Sequence, residues 1–436
     1  MLVLSDRHLT WRTSMKKIAI LFLFVLVSTI NAASVWLPTQ TLDSSKDWLA
    51  NPVVGVDGIG NAIVIWINSG TNEACVSRFN NSSQTWGSVS RLSMSTSEKK
   101  RANPSIEMDE AGNALAIWEG DYIEAAYYDI KSNQWSLPKK LSKSLEHRVP
   151  GVGFFPNGNG MALWYESETK TVQASSFDSS KNEWTSPVRI AEKVTLSNIN
   201  YFTFKTDKSG NGCAVWVEGD SESPVIKAAY YFKDALVWSQ PFEVAKPSTS
   251  SGFDLYFKSN ENLVVVWSEG PLSRIHAMEF HSKTLNKIDS KIVAFGCLPK
   301  VAVNASNAIG ISSVFSDVEF RANANILKED EGVYSGKKLI MAGFVFFHSL
   351  GIDDRGNVLA AWCEMGDNSS MEKVSVYSAN TNAWSTPKEL SRGDKEKSLG
   401  MTAVAMHPKG HAVIAWDRVD SKTGNCELNA VIYRPE

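Results

Sequence analysis

What this sequence has little of narrows it first. Its 436 residues include five cysteines (Cys75, Cys213, Cys297, Cys363 and Cys426), and no two stand at a metal-ligand spacing. An odd, scattered set specifies neither a zinc site nor a disulfide framework, and reads as small apolar side chains on strands. The seven histidines are equally scattered, so neither a metal nor a cofactor is expected. A basic excess is missing too: the net charge is -3, which gives nucleic acid or an anionic membrane little to hold. Helical periodicity is absent over any useful length. Beyond the N-terminal region no apolar run approaches the roughly twenty residues a spanning helix needs, so no membrane insertion is expected.

The N-terminus carries one short apolar run. Met15-Lys16-Lys17 precedes Ile18 to Val27, and Ile30-Asn31-Ala32 follows. A basic start, about ten apolar residues and a small residue at the cut describe a secretory signal peptide. Met15 is then the true start, with residues 1–14 upstream of it and cleavage after Ala32. The mature chain, residues 33–436, is expected to be secreted or periplasmic.

A period of about fifty residues organises the rest. Its anchor is an Asn followed five residues later by Trp, with apolar residues between: Asn61–Trp66, Asn113–Trp118, Asn159–Trp164, Asn211–Trp216, Asn262–Trp267 and Asn357–Trp362. Two degenerate copies, Asn307–Ser312 and His411–Trp416, keep the frame and bring the count to eight. An Asp-x-x-Gly turn precedes several anchors, as in Asp57 to Gly60 and Asp353 to Gly356, which is type I turn chemistry. Later in each unit comes Trp-x-x-Pro with an aliphatic residue six past the Trp: Trp135/Leu141, Trp184/Ile190, Trp238/Val244 and Trp384/Leu390. Trp86/Leu92 and Tyr334/Ile340 keep the spacing without the Pro, and Ile288 is the nearest counterpart in the fifth unit.

Each unit therefore reads as four strands, a to d, with strand b apolar on both faces and Pro confined to the outermost strand. Blades packed between two neighbours satisfy that pattern. The eighth unit stops before its strand d, and the missing piece stands at the mature N-terminus as Trp36, Pro38 and Leu42. The reading is an all-β, eight-bladed β-propeller of four-stranded antiparallel blades. Residues 33–45 form the closing strand of the last blade, in a single domain over 33–436. Seven blades is the alternative, since the count rests on the worn sixth copy.

These motifs resemble the secreted bacterial β-propellers whose repeats carry G-N-A-x-A-x-W and W-S-x-P signatures. The resemblance covers residues 34–436 and implies that the b–c and d–a loops share one face, usually the binding face. Acidic residues recur just after the anchor Trp: Glu119, Asp121, Glu166, Glu218, Asp220, Glu269, Glu364, Asp367 and Asp417. If all stand at b–c corners they ring that face, as a site for a cation, a basic peptide or sugar hydroxyls, or else as turn chemistry alone. The repeated Trp residues read either as sugar platforms or as packing between blades.

No catalytic residue is nominated. The Asp turns are not of the sialidase form, and Arg78, Arg274, Arg321 and Arg418 single out no arginine triad. Lys99-Lys100-Arg101 and Arg392-Gly393-Asp394 fall in loops that interrupt the repeat. The leading expectation is a monomeric, non-catalytic binding platform for an extracytoplasmic protein or glycan. A carbohydrate-active hydrolase with a carboxylate pair in the ring's mouth, and a lectin with one sugar site per blade, are the alternatives.

Overall fold

The computed structural model describes residues 35–92, 102–143, 147–195, 202–219, 223–270, 273–314, 322–327, 338–341, 344–365, 369–394, 400–420 and 422–435. The expected signal peptide, the Lys99–Arg101 run and Tyr334 lie outside them. Among the described residues there is no helix, and Trp36–Arg434 forms one compact unit.

Eight antiparallel sheets follow one another along the chain. Strand a opens each blade, at Leu49–Val56 in blade 1, Ala102–Met108 in blade 2 and Phe202–Thr206 in blade 4. Eight apolar clusters hold these sheets together, and each cluster joins one blade to the next. Ile63 and Ile65 pack towards blade 2, whereas Val64 and Trp66 of the same strand pack towards blade 8. That two-sided demand is why strand b, Ala62–Asn68 in blade 1, is buried along its whole length. The cluster between blades 8 and 1 completes the circle.

The last blade takes its strand d from the other end of the chain. Val35–Trp36 and Gln40–Ser45 both pair with Cys426–Arg434. Leu37 N donates to Ile432 O at 3.0 Å, Thr41 Oγ1 to Asn429 Oδ1 at 2.9 Å, and the Trp36 ring lies 4.9 Å from that of Tyr433. An edge that would otherwise stay open is thereby covered.

Strand d is broken in two in six blades. In blade 4, Val237–Trp238 and Phe242–Ala245 both pair with strand c, and Gln240-Pro241 lies in the gap. Blade 5 lacks the Trp and the Pro, and its strand d runs unbroken over Lys287–Phe295. Lys287 stands opposite Phe280, where blade 1 sets Trp86 opposite Phe79. The buried aliphatic six residues on is Val293, and the expected counterpart Ile288 is 51% exposed.

The sixth anchor also shifts by one residue. Asp57 N donates to Asn61 O in blade 1, and Asn304 N donates to Ala308 O in blade 6. The anchor pair is therefore Ala308–Ser313 rather than Asn307–Ser312. Asn307, at φ 60°, occupies the left-handed turn position that Gly60 fills at φ 85°, a conformation that Asn tolerates better than most side chains.

The anchor Asn has a mechanical role. Asp57 Oδ1 accepts from Ile59 N and Asn61 N, and its Oδ2 accepts from Asn61 Nδ2. Asn61 Oδ1 then accepts from Asn81 N in the c–d turn at 3.0 Å. Asn113, Asn211 and Asn357 repeat this link to Ile130, Lys233 and Ala379. The motif thus ties both turns at one end of a blade, satisfying backbone donors that the strands cannot.

Candidate functional site

At the opposite end, the b–c corners, the anchor tryptophans come first. Trp66, Trp118, Trp164 and Trp216 have no exposed surface, and Trp267, Trp362 and Trp416 have at most 4%. Burying an indole requires an acceptor for its N–H. In four blades the acid two residues on supplies it. Trp216 Nε1 donates to Glu218 Oε1 at 2.8 Å, Trp267 to Glu269 at 3.2 Å, and Trp164 and Trp362 to Glu166 and Glu364 at 3.4 Å.

The second carboxylate oxygen is engaged as well. Lys227 pairs with Glu218 at 3.0 Å and Lys373 with Glu364 at 2.8 Å. Thr169 donates to Glu166, and Ser248 N to Glu269. Blades without an acid at that position recruit another acceptor: Asp43 for Trp66, Glu124 for Trp118 and Ser391 for Trp416. A sugar site on each anchor Trp is therefore closed.

The remaining corner acids differ from one another. Glu119 accepts from Asn103 Nδ2 at 2.9 Å, and Asp121 is half-buried. Asp220 and Asp367 lie outside the described residues. Asp417 is 2% exposed, accepts from Met401 N at 2.8 Å, and burial pushes its carboxyl up to about 7. Nearby Glu372 is also buried, and burial raises it well above the ordinary carboxylate range despite bonds from Thr402 Oγ1. The Arg-Gly-Asp tripeptide is not in a loop: it ends the strand Lys388–Asp394, with Arg392 opposite Met371 and Gly393 opposite Ser370.

The five thiols are free and four are buried. Burial pushes Cys75 and Cys363 up to about 12, so neither is a nucleophile near neutrality.

The central channel holds groups that are less occupied. A cavity of about 670 Å³ opens at its a–b end, lined by strand a of seven blades. The position six residues before the anchor lines it in each of these seven blades. Gly55, Ala302, Gly351 and Ala405 leave that ring open, Tyr256 of blade 5 is buried against blade 6, and Glu107 and Lys205 stand there in blades 2 and 4. Lys205 Nζ pairs with Asp254 Oδ1 at 3.0 Å, and Asp254 Oδ2 is held by Val301 N. Glu107 meets channel solvent, yet protein surrounds it. That enclosure outweighs the field of Lys205 and pushes its carboxyl up to about 7. Sequence reasoning missed this pair. The available signal was a charged residue at a repeat position that is Gly or Ala in five blades and Tyr256 in blade 5.

No protein-family model and no curated protein matches the chain. Among solved structures, it is similar to a prolyl endopeptidase at a TM-score of 0.52 and 9% identity, over 87% of this chain and 55% of that one. A puromycin hydrolase gives 0.48 and 12%, over 87% and 62%. The chain thus spans less than two thirds of either enzyme. The Dos1 propeller gives 0.50 at 7% identity, over 92% of this chain and 95% of that one. At such identities the likeness is one of fold, and the fold is an eight-bladed β-propeller.

Proposed function

We propose that this chain is an exported bacterial propeller that binds a protein or glycan and catalyses no reaction, with the a–b end of its channel as the recognition site. The observation that carries this reading is the placement of Glu107 and of Lys205, which Asp254 holds, on the lining of a cavity of about 670 Å³. That volume lies within the range of ordinary ligand sites. A fixed ammonium and a carboxyl of opposite sign favour a partner group that both donates and accepts, as a peptide segment or an amino sugar does. The corner acids contribute through the anchor indoles, as parts of the scaffold.

The test is a screen of the purified chain on a glycan array and against exported proteins, with released-sugar detection. The expected result is saturable binding without turnover, weakened about tenfold by Glu107→Gln or Lys205→Ala, as loss of a charge-assisted hydrogen bond implies. Sugar release, or the absence of any ligand whose binding either substitution weakens, overturns it.

A further inference from the structure

We propose a second binding site, between blades 3 and 4, for a neutral pyranose ring of an oligosaccharide. It stands independently of the channel. A groove of about 400 Å³ lies there, walled by Phe155, Tyr231 and Trp238. The Phe155 and Tyr231 rings are parallel within 15° at 5.8 Å, and Trp238 sits 5.4 Å from Tyr231.

Blade 4 departs from blades 2 and 7 at its c–d turn. In blades 2 and 7 the Tyr near the end of strand c donates its hydroxyl to an Asn five residues on. Tyr128 reaches Asn133 at 2.5 Å and Tyr377 reaches Asn382 at 2.6 Å. Those Asn residues stand in the left-handed conformation, at φ 55° and 51°. In blade 4 the same place, five residues past Tyr231, is Leu236 at φ 55°. Leucine pays on the order of 1–2 kcal/mol to sit there and offers no acceptor. Leu285 of blade 5 makes the same substitution, but its partner is Phe280, which needs none. Tyr231 therefore has no hydrogen-bond partner among the described residues. Its side chain is buried, its ring lines the groove, and burial raises its pKa, so it remains a donor at neutral pH.

The chemistry of the groove selects the occupant. An apolar protein side chain would fit the rings but leave the Tyr231 hydroxyl buried and unpaired, at a cost of about 1–3 kcal/mol. A sugar presents a C–H face to Trp238 and Leu236 and a hydroxyl to Tyr231. Asn157, Ser186 and Lys233 are exposed at the rim, where outward hydroxyls would meet them.

The test is isothermal titration of the full chain with cellotetraose, chitotetraose, maltotetraose and xylotetraose. At least one is expected to bind saturably. Tyr231→Phe keeps the ring packing and is expected to weaken binding at least fivefold. Leu236→Asn, which recreates the acceptor of blades 2 and 7, is expected to do the same while raising the melting temperature. Glu107→Gln should leave this binding unchanged, which separates its failure from that of the channel reading. Absence of binding to all four sugars, or unaltered affinity in both groove variants, overturns the proposal. An accompanying affinity for N-acetylleucinamide would assign the groove to an apolar protein side chain instead.

Discussion

The two ends of the ring use similar residues for opposite purposes. At the b–c end, Glu218 and Glu364 each accept from a buried indole and pair with a lysine, so neither has an oxygen to spare. At the a–b end, Glu107 faces an open cavity and Tyr231 faces a groove. Recurrence marks the scaffold, because every blade must solve the same packing problem. Departure from the repeat marks the groups with capacity left over.

The sharpest way to break this comparison is at a scaffold tryptophan. Trp118→Ala removes a fully buried ring that packs with Ile63 and Ile106 of the seam, and should cost about 3–5 kcal/mol in urea denaturation. A loss under 1 kcal/mol would mean that the b–c end is not holding the blades.

The next effect is pH dependence. Asp417 and Glu372 both have raised pKa values in the folded protein. The folded state therefore binds more protons than the unfolded one between the ordinary carboxylate range and about 7. Stability should fall as pH rises through that window, at up to about 1.4 kcal/mol per pH unit for each proton of difference. Melting temperatures from pH 4 to 8 check this, and Asp417→Asn should flatten its share of the slope.

The smallest effect concerns blade 4. Leu236→Asn should gain about 0.5–1.5 kcal/mol from the restored Tyr231 hydrogen bond, read as a higher denaturation midpoint. A loss would mean that the leucine contributes to packing.

The sequence made the ring legible because packing between blades imposes a strict period on strand b, and because Trp36, Pro38 and Leu42 supply the strand d that the eighth unit lacks. Blade 6 misled the frame since Asn307 does the work of a turn glycine, and an Asn looks alike in either role. Blade 5 was unreadable at strand d because Lys287 replaces the Trp that marks the position elsewhere. The corner acids were visible, and residues two apart on a strand share a face, but the rotamer that brings a carboxylate oxygen onto the indole N–H was not. Tyr231 was hidden for a different reason. Its significance lies in a partner that blade 4 omits, which only the aligned c–d turns of blades 2 and 7 reveal.

The closing strand has a consequence in time. Thr41 and Asn429, which bond across it, are 388 positions apart in the chain. Bringing such distant points together costs about 5 kcal/mol of loop entropy, and the contact cannot form until Asn429 has been made. The strand Gln40–Ser45 must wait for Cys426–Arg434. Refolding should therefore be slow, limited by a single late capture event rather than by any one blade. Until that capture, the edge of Cys426–Arg434 stands open to a second chain, which makes strand exchange between copies the characteristic hazard of this topology.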